Sequence, residues 1–414
     1  MPLGETLLIH HLAGLFAGSA PKVIGVAVSG GGDSMALLHL MHRASATSGW
    51  RIEAVTVDHV LRPEAAAEAR MVAAFCDGIG VTHATLVWQH GEITGNLMDQ
   101  ARRARKTLIA GWARERGIGT VVLGHTADDQ AETLLMEMGR AAGLDGMSGM
   151  QAVWQEQGVL WSRPLLHQSR ASLRDYLTAQ RIAWVEDPTN DDAAYTRVKA
   201  RRALQALAPL GITAERVAAV AVNLSHSRNA LAWVLEREAG RLVRESAGAL
   251  TIDKKGFMLL PWDVQRRLLI AALRWLSGSE QAPRGQKLDR MYFALVSGKE
   301  ATLAGCRLRH LPESLLLVRE PRAVAAALTP VGALWDRRWL LEGPGGEGLH
   351  LAALGAEGLR QCNDWRATGL RREILLVTPA VWQGEVLVAA ALAGKSDGWK
   401  ARIAQDFRTF LVSH

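Results

Sequence analysis

From Val23 onward the chain alternates two hydrophobic rhythms. Short apolar runs at Val23–Val28, Ile52–Val57, Val81–Trp88 and Thr120–Leu123 have the length of buried strands. Segments with helical spacing lie between and after them, at Ser34–His42, Pro63–Cys76, Asn96–Arg116 and Asp128–Met138. Strands separated by helices predict parallel pairing with right-handed crossovers, which is an α/β domain. In an open sheet of this kind a ligand sits beyond the carboxyl ends of the strands.

The rhythm changes after Arg202. Ile212 to Ala247 keeps a continuous helical period, and Trp262–Leu276 adds a second amphipathic helix. Pro283–Gly285 breaks the chain, and short strands are expected at Thr302–Arg307 and Leu315–Arg319. Beyond Ala323–Pro330 come Gly343, Gly345 and Gly346, with Trp335, Trp339, Trp365, Trp382 and Trp399, which read as a small α+β module. A chain of 414 residues needs two or three cores. The expected domains are 1–205 (parallel-sheet, Rossmann-like α/β), 206–325 (mainly helical) and 326–414 (small C-terminal α+β).

Composition narrows the class. With 49% hydrophobic and 21% charged residues, a disordered chain is excluded. The net charge of +7, carried mostly by arginine, suits a polyanion such as nucleic acid. Cys76, Cys306 and Cys362 are far apart, so neither a zinc ribbon nor a disulfide framework is expected. The first residues lack a basic leader, and no apolar run approaches the ~20 residues of a membrane span. A cytoplasmic protein without membrane association is the expectation.

Ser29-Gly30-Gly31-Gly32-Asp33-Ser34 follows the first strand and opens the first crossover helix. Contiguous glycines let backbone amides turn inward as an anion nest, and the helix N-terminus adds its positive dipole end. Ser29 and Ser34 can add hydroxyls. A Walker loop would end in GK[ST], and a dinucleotide fingerprint would space its glycines, so neither fits. A carboxylate beside a phosphate nest repels the ligand unless a metal lies between, which marks Asp33 as an expected Mg²⁺ contact. Asp129 and Glu132 are three apart at a helix start and share one face. They can act with Asp33, although acidic residues there also simply cap helices.

The loop resembles the SGGxDS loop of the N-type ATP pyrophosphatases, the PP-loop enzymes that cleave ATP to AMP and pyrophosphate. Further stretches resemble the tRNA(Ile)-lysidine synthetases. They are Val57-Asp58-His59-Val60-Leu61-Arg62, Ala101-Arg102-Arg103-Ala104-Arg105, Gly124-His125 through Asp128-Asp129 to Glu132-Thr133, Arg163-Pro164-Leu165-Leu166, and Glu186-Asp187-Pro188-Thr189-Asn190. They occur in that order over roughly residues 20–205. Three departures stand out. Lys106 replaces the family's tyrosine, Ala141 replaces the first glycine of an RGxG turn, and Val198 replaces an asparagine between Tyr195 and Arg201.

The resemblance implies ATP and Mg²⁺ as cofactors, with free L-lysine and the anticodon loop of an isoleucine tRNA as partners. It implies nucleotide contacts from Ser29, Gly30, Gly31, Gly32, Asp33, Ser34, Asp58, His59 and His125. Asp33 and Asp129 would hold the metal, and Asp33, Asp129, Glu132 and Arg105 would be catalytic. Arg62, Arg102, Arg197 and Arg201 would face the tRNA. A homodimer is frequent in the family. The rival readings are a tRNA thiolase of the same fold and an inactive tRNA- or nucleotide-binding protein.

Overall fold

The computed structural model describes residues 4–16, 21–61, 63–91, 95–186, 196–279, 281–283 and 285–413. Arg62, Asp187–Asn190 and Tyr195, all singled out above, lie outside the described residues. The chain divides into two compact units, Met1–Arg228 and Asn229–His414.

The first unit opens with α1 (Glu5–Gly14) and then alternates strand and helix: β1 (Val23–Ala27), α2 (Gly32–Ser48), β2 (Arg51–Asp58), α3 (Ala65–Gly78), β3 (Thr82–Val87), α4 (Leu97–Glu115), β4 (Thr120–Leu123) and α5 (Ala127–Met138). A short α6 (Leu144–Met147), the hairpin β5 (Val153–Glu156) and β6 (Val159–Ser162), α7 (Arg170–Ala179) and α8 (Thr196–Leu207) follow. The six strands pair in the order β3-β2-β1-β4-β6-β5. All pairs are parallel except β5 with β6. Strand order reverses between β1 and β4, so the topological switch point lies beside the glycine loop.

Alternation along β1 explains the layers. Ile24 and Val26 join a core built with Met35, Leu37 and Leu38 of α2 and Val72 of α3. Ala27 faces the opposite core, with Ile109 and Trp112 of α4. Gly25 is required on that face, because a Cβ would stand 3.0 Å from both the Trp112 ring and Val121. A small third core joins Ala131 and Leu134 of α5, Leu204 of α8, and Val217 and Ala221. Residues 206–228 therefore belong to the first unit.

The unit boundary falls within α9 (Ala214–Leu242). The helical rhythm predicted a helix to Ala247, but Val243–Ser246 and Ala249–Asp253 form a hairpin, β7 and β8. Ala247 and Gly248 both adopt positive φ, +47° and +73°, which is the geometry of a two-residue hairpin turn. The second unit continues with α10 (Lys254–Leu259), α11 (Trp262–Ser277), α12 (Gly285–Val296), β9 (Ala301–Leu303), β10 (Cys306–His310) and β11 (Ser314–Arg319). Its antiparallel sheet runs β7-β8-β11-β10-β9. A four-stranded and a two-stranded sheet follow, and Trp335, Trp339, Trp382 and Trp399 are buried among them. No single described helix is long and apolar enough to cross a membrane.

Ala141, where the resembling family has glycine, has φ +52°. A side chain in the left-handed region costs roughly 1–2 kcal/mol. Ala141→Gly is expected to stabilise the protein by about 1 kcal/mol in denaturant unfolding, after glycine's extra chain entropy offsets part of the gain. An unchanged or lower midpoint would contradict that strain.

Candidate active site

The glycine loop begins one residue past β1, whose pairing persists through the Val28 amide to the Val55 carbonyl at 2.8 Å. Gly30 turns the chain with φ +84°, a conformation that side chains avoid. The Ser34 and Met35 amides both donate to the Gly31 carbonyl at 3.0 Å, so α2 starts at once. The Gly32 and Asp33 amides precede that first bonded turn and remain available to an anion. Ser34 shapes the loop: its hydroxyl donates to the Gly31 carbonyl at 2.9 Å and accepts from the Ser29 amide at 3.1 Å. Val185 braces the loop from outside, donating its amide to the Gly30 carbonyl at 2.9 Å.

Gly124 brings β4 onto the start of α2. A Cβ there would lie 2.9 Å from the Asp33 carbonyl oxygen and 3.0 Å from Ser34 Cα, both backbone atoms that cannot yield cheaply. This approach sets α5 beside Asp33. The first turn of α5 carries Asp128 and Asp129, and Glu132 follows one turn on.

The acids converge on one cation that sequence reasoning did not select. Arg170, at the start of α7, donates from Nε to Asp33 Oδ2 at 3.2 Å, from Nη1 to Glu132 Oε1 at 3.3 Å and from Nη2 to Asp129 Oδ1 at 3.4 Å. Its own amide donates to Asp128 Oδ2 at 2.7 Å. Arg201 of α8 adds a bond to Glu132 Oε1 at 3.0 Å, and Arg197 lies 3.9 Å from Asp129 Oδ1. Asp129 Oδ2 accepts from the amide and hydroxyl of Thr126, the residue before α5, at 2.9 and 3.1 Å. Asp129 is thus both cap and site residue, with its two oxygens engaged. Asp33 Oδ1 and Glu132 Oε2 are buried and have no hydrogen-bond partner among the described residues.

Burial dominates the electrostatics. It pushes the Asp33 carboxyl up to about 6, with the negative charge of Asp129 adding and Arg170 only partly offsetting. Burial also works against the charge of Arg170, but Asp129, Asp33, Glu132 and Asp128 outweigh it and hold the guanidinium above its usual value. At Asp129 burial is overcome chiefly by Arg170, with Arg197 and the Thr126 amide, which keep it below the ordinary carboxylate range.

A second flank is cationic. His125, just past β4, accepts at Nδ1 from Arg163 Nε at 3.2 Å, and burial holds the ring neutral. Arg163 is pinned by the Gln151 carbonyl at 2.6 Å and by the Trp154 ring, 3.9 Å away. Arg105 is half-buried, and burial together with Arg102 weakens its hold on its proton. Its charge depresses both His59 and His125, which sets it near the ends of β2 and β4. Among the described residues Arg105 has no acidic partner, so an anion would complete it. Asp58, at the end of β2, accepts the Val60 amide at 2.8 Å and shapes the turn through His59. Arg102 is exposed.

The arrangement joins a nest for polyphosphate, an uncompensated guanidinium and two bare carboxylate oxygens. Among the described residues no group of three or more His, Cys, Asp or Glu forms a metal cage. Two bare carboxylate oxygens beside a phosphate nest would suit Mg²⁺, which is usually held by one or two carboxylates plus substrate phosphates. Arg170 carried no sequence signal beyond its place after Ser169, because its partners lie 38 to 137 positions away.

Residues 5–207 match the PP-loop domain family. The whole chain is 44% identical over 417 residues to a tRNA(Ile)-lysidine synthase of Ruegeria pomeroyi, covering 100% of both. A namesake from Zymomonas mobilis is 37% identical over 72% of this chain and 89% of its own, and one from Wolbachia pipientis is 32% identical over 72% and 70%. Among solved structures, the U34-tRNA thiolase NcsA of Methanococcus maripaludis aligns at TM-score 0.46 and 14% identity, covering 53% of this chain and 78% of that one. With its glycine loop at the switch point and full-length likeness to such enzymes, this chain belongs to the tRNA(Ile)-lysidine synthase family.

Proposed function

We propose that this protein forms lysidine at the wobble cytidine of an isoleucine tRNA, consuming ATP and free L-lysine. The observation that carries the reading is the meeting of the Gly30–Ser34 loop with Asp33, Asp129 and Glu132 at the carboxyl edge of the sheet, in a member of that family. In the reaction the cytosine C2 oxygen attacks the α-phosphorus, and the bond to pyrophosphate breaks. The lysine ε-amine then attacks C2, and the C2–O bond breaks as AMP leaves with that oxygen. The amine proton passes to a base.

Each step assigns work to the chain. The loop amides and the α2 N-terminus take up phosphate charge without reorganising. Arg105 neutralises further negative charge. Asp33, through its bare Oδ1, would hold Mg²⁺, which when bound supplies charge neutralisation for the leaving pyrophosphate. Glu132 is the better base toward the amine, because its Oε2 has no partner whereas both Asp129 oxygens are engaged. Arg197 and Arg201 approach these acids from α8, so they would link tRNA docking to the site. The anticodon loop would meet this edge, most of its affinity coming from salt-dependent phosphate contacts.

The thiolase rival needs reactive cysteines near the loop. Cys76 is the one cysteine of the first unit, and it is fully buried with its thiol pushed up to about 12 by desolvation. The non-catalytic rival leaves the convergence of three acids, two of them buried, without a use.

Pyrophosphate release with bulk tRNA is the direct assay. Release is expected to require ATP, lysine and tRNA together. Release without lysine would contradict lysidine formation. Asp33→Ala should lower this turnover by about 100-fold or more while tRNA affinity stays within about twofold. Wild-type turnover by that variant would remove Asp33 from the metal role.

The raised Asp33 carboxyl also sets a stability dependence. Folding moves it from an ordinary 3.8 to about 6, so the folded state binds this proton more tightly than the unfolded chain. Its favourable contribution is full below about pH 4 and lost as pH rises through about 6. In protein free of nucleotide and metal, the stability of Asp33→Asn relative to wild type should rise by about 1–3 kcal/mol between pH 4 and 6.5, then level off. A difference constant across that window in chemical denaturation would contradict the burial argument.

A further inference from the structure

The three site acids come from two elements, Asp33 from α2 and Asp129 and Glu132 from α5. The Thr126 amide orients Asp129 alone, and no backbone donor among the described residues ties Asp33 and Glu132 to it. Arg170 does so from a third element. Its three guanidinium nitrogens each meet a different carboxylate, at 3.2, 3.3 and 3.4 Å. A guanidinium is planar and its donors are rigidly forked, so three acceptors bound to it are held in one plane around a common centre. An ammonium is a point charge and imposes no such plane.

Arg170 is itself pinned to α5. Its amide bonds Asp128 Oδ2 at 2.7 Å, and two residues earlier the Gln168 carbonyl accepts the Ala127 amide at 2.9 Å. The Ser169 hydroxyl caps α7 by accepting the Ser172 amide at 3.3 Å. The first turn of α7 is therefore fixed against the first turn of α5, and the guanidinium extends from that joint to Asp33. It occupies one oxygen of Asp33 and one of Glu132. The other oxygen of each, Oδ1 and Oε2, is left buried and without a partner among the described residues.

From this geometry we infer that Arg170 is the positioning residue of the site, orienting Asp33 and Glu132 so that their two free oxygens face the incoming cations. The inference rests on the adenylation reading above and adds a role for a residue outside the glycine loop and the acids. Arg170 touches neither reacting phosphorus nor C2 in this scheme. It acts through the acids.

Arg170→Lys and Arg170→Met separate orientation from mere charge balance. Lysine keeps the positive charge that the acids need, so its melting temperature should stay near that of wild type. It loses the plane, so kcat should remain about tenfold or more below wild type. Arg170→Met should lower kcat by about 100-fold. Both should weaken binding of a magnesium-loaded α,β-methylene ATP analogue by about tenfold, read by calorimetry, while tRNA affinity holds within about twofold. Combining Arg170→Lys with Glu132→Gln should cost less than the product of the two single losses, because each removes the same arrangement. If Arg170→Met fails to fold, Arg170→Lys alone carries the test. Full recovery of kcat and analogue affinity by lysine, or losses that follow the melting temperature, would overturn the inference. The analogue titration does not depend on turnover. A wild-type protein that binds the analogue but releases no pyrophosphate with lysine and tRNA would therefore fault the reaction assignment and leave the Arg170 result readable.

Discussion

Negative charge gathered where water is scarce is the constraint around which this site is built. Asp33, Asp129 and Glu132 stand within reach of one guanidinium, and Glu132 is 1% exposed. Such a cluster would repel itself, and would repel a triphosphate, without fixed cations. Arg170 supplies one inside the cluster, and Arg201 reinforces it at Glu132. The remaining demand is expressed by the two unpaired oxygens and by Asp33, whose carboxyl burial raises to about 6. The complementary demand lies across the site, where Arg105 is half-buried without an acidic partner among the described residues. On the proposed reading, a magnesium-bound polyphosphate would satisfy both sides at once.

The backbone makes this possible through close approach. Gly30 provides the turn that aims the loop, and Gly124 permits β4 to abut the backbone of Asp33 and Ser34. The switch point between β1 and β4 then places the nest, His125 and the start of α5 around one crevice. Two glycines that carry no chemistry thus set the geometry of the site.

Much of this was legible in the sequence because the determinants are local. The strand and helix rhythm of residues 23–138 gave the parallel order its parts, and the glycine run announced the loop. Asp129 and Glu132 were readable as neighbours on one helical face. What escaped was long-range or hidden in a shared rhythm. Arg170 pairs with residues far away in the chain, so no spacing betrays it. Arg197 and Arg201 were expected to face the tRNA, and their approach on α8 to the acids of α5 carried no local signal. The hairpin at 243–253 escaped because its apolar positions continue the helical period of α9 and Ala247, at positive φ, carries no turn signature.

The central requirement is that a nucleotide seats its phosphates on the glycine loop. A crystal structure with magnesium and a non-hydrolysable ATP analogue tests it most directly. The triphosphate is expected against the amides of Gly30 to Ser34, with the metal between it and Asp33 Oδ1 and a phosphate oxygen near Arg105. An empty loop with nucleotide bound elsewhere, or a triphosphate seated there with Asp33 and Glu132 turned away, would contradict it.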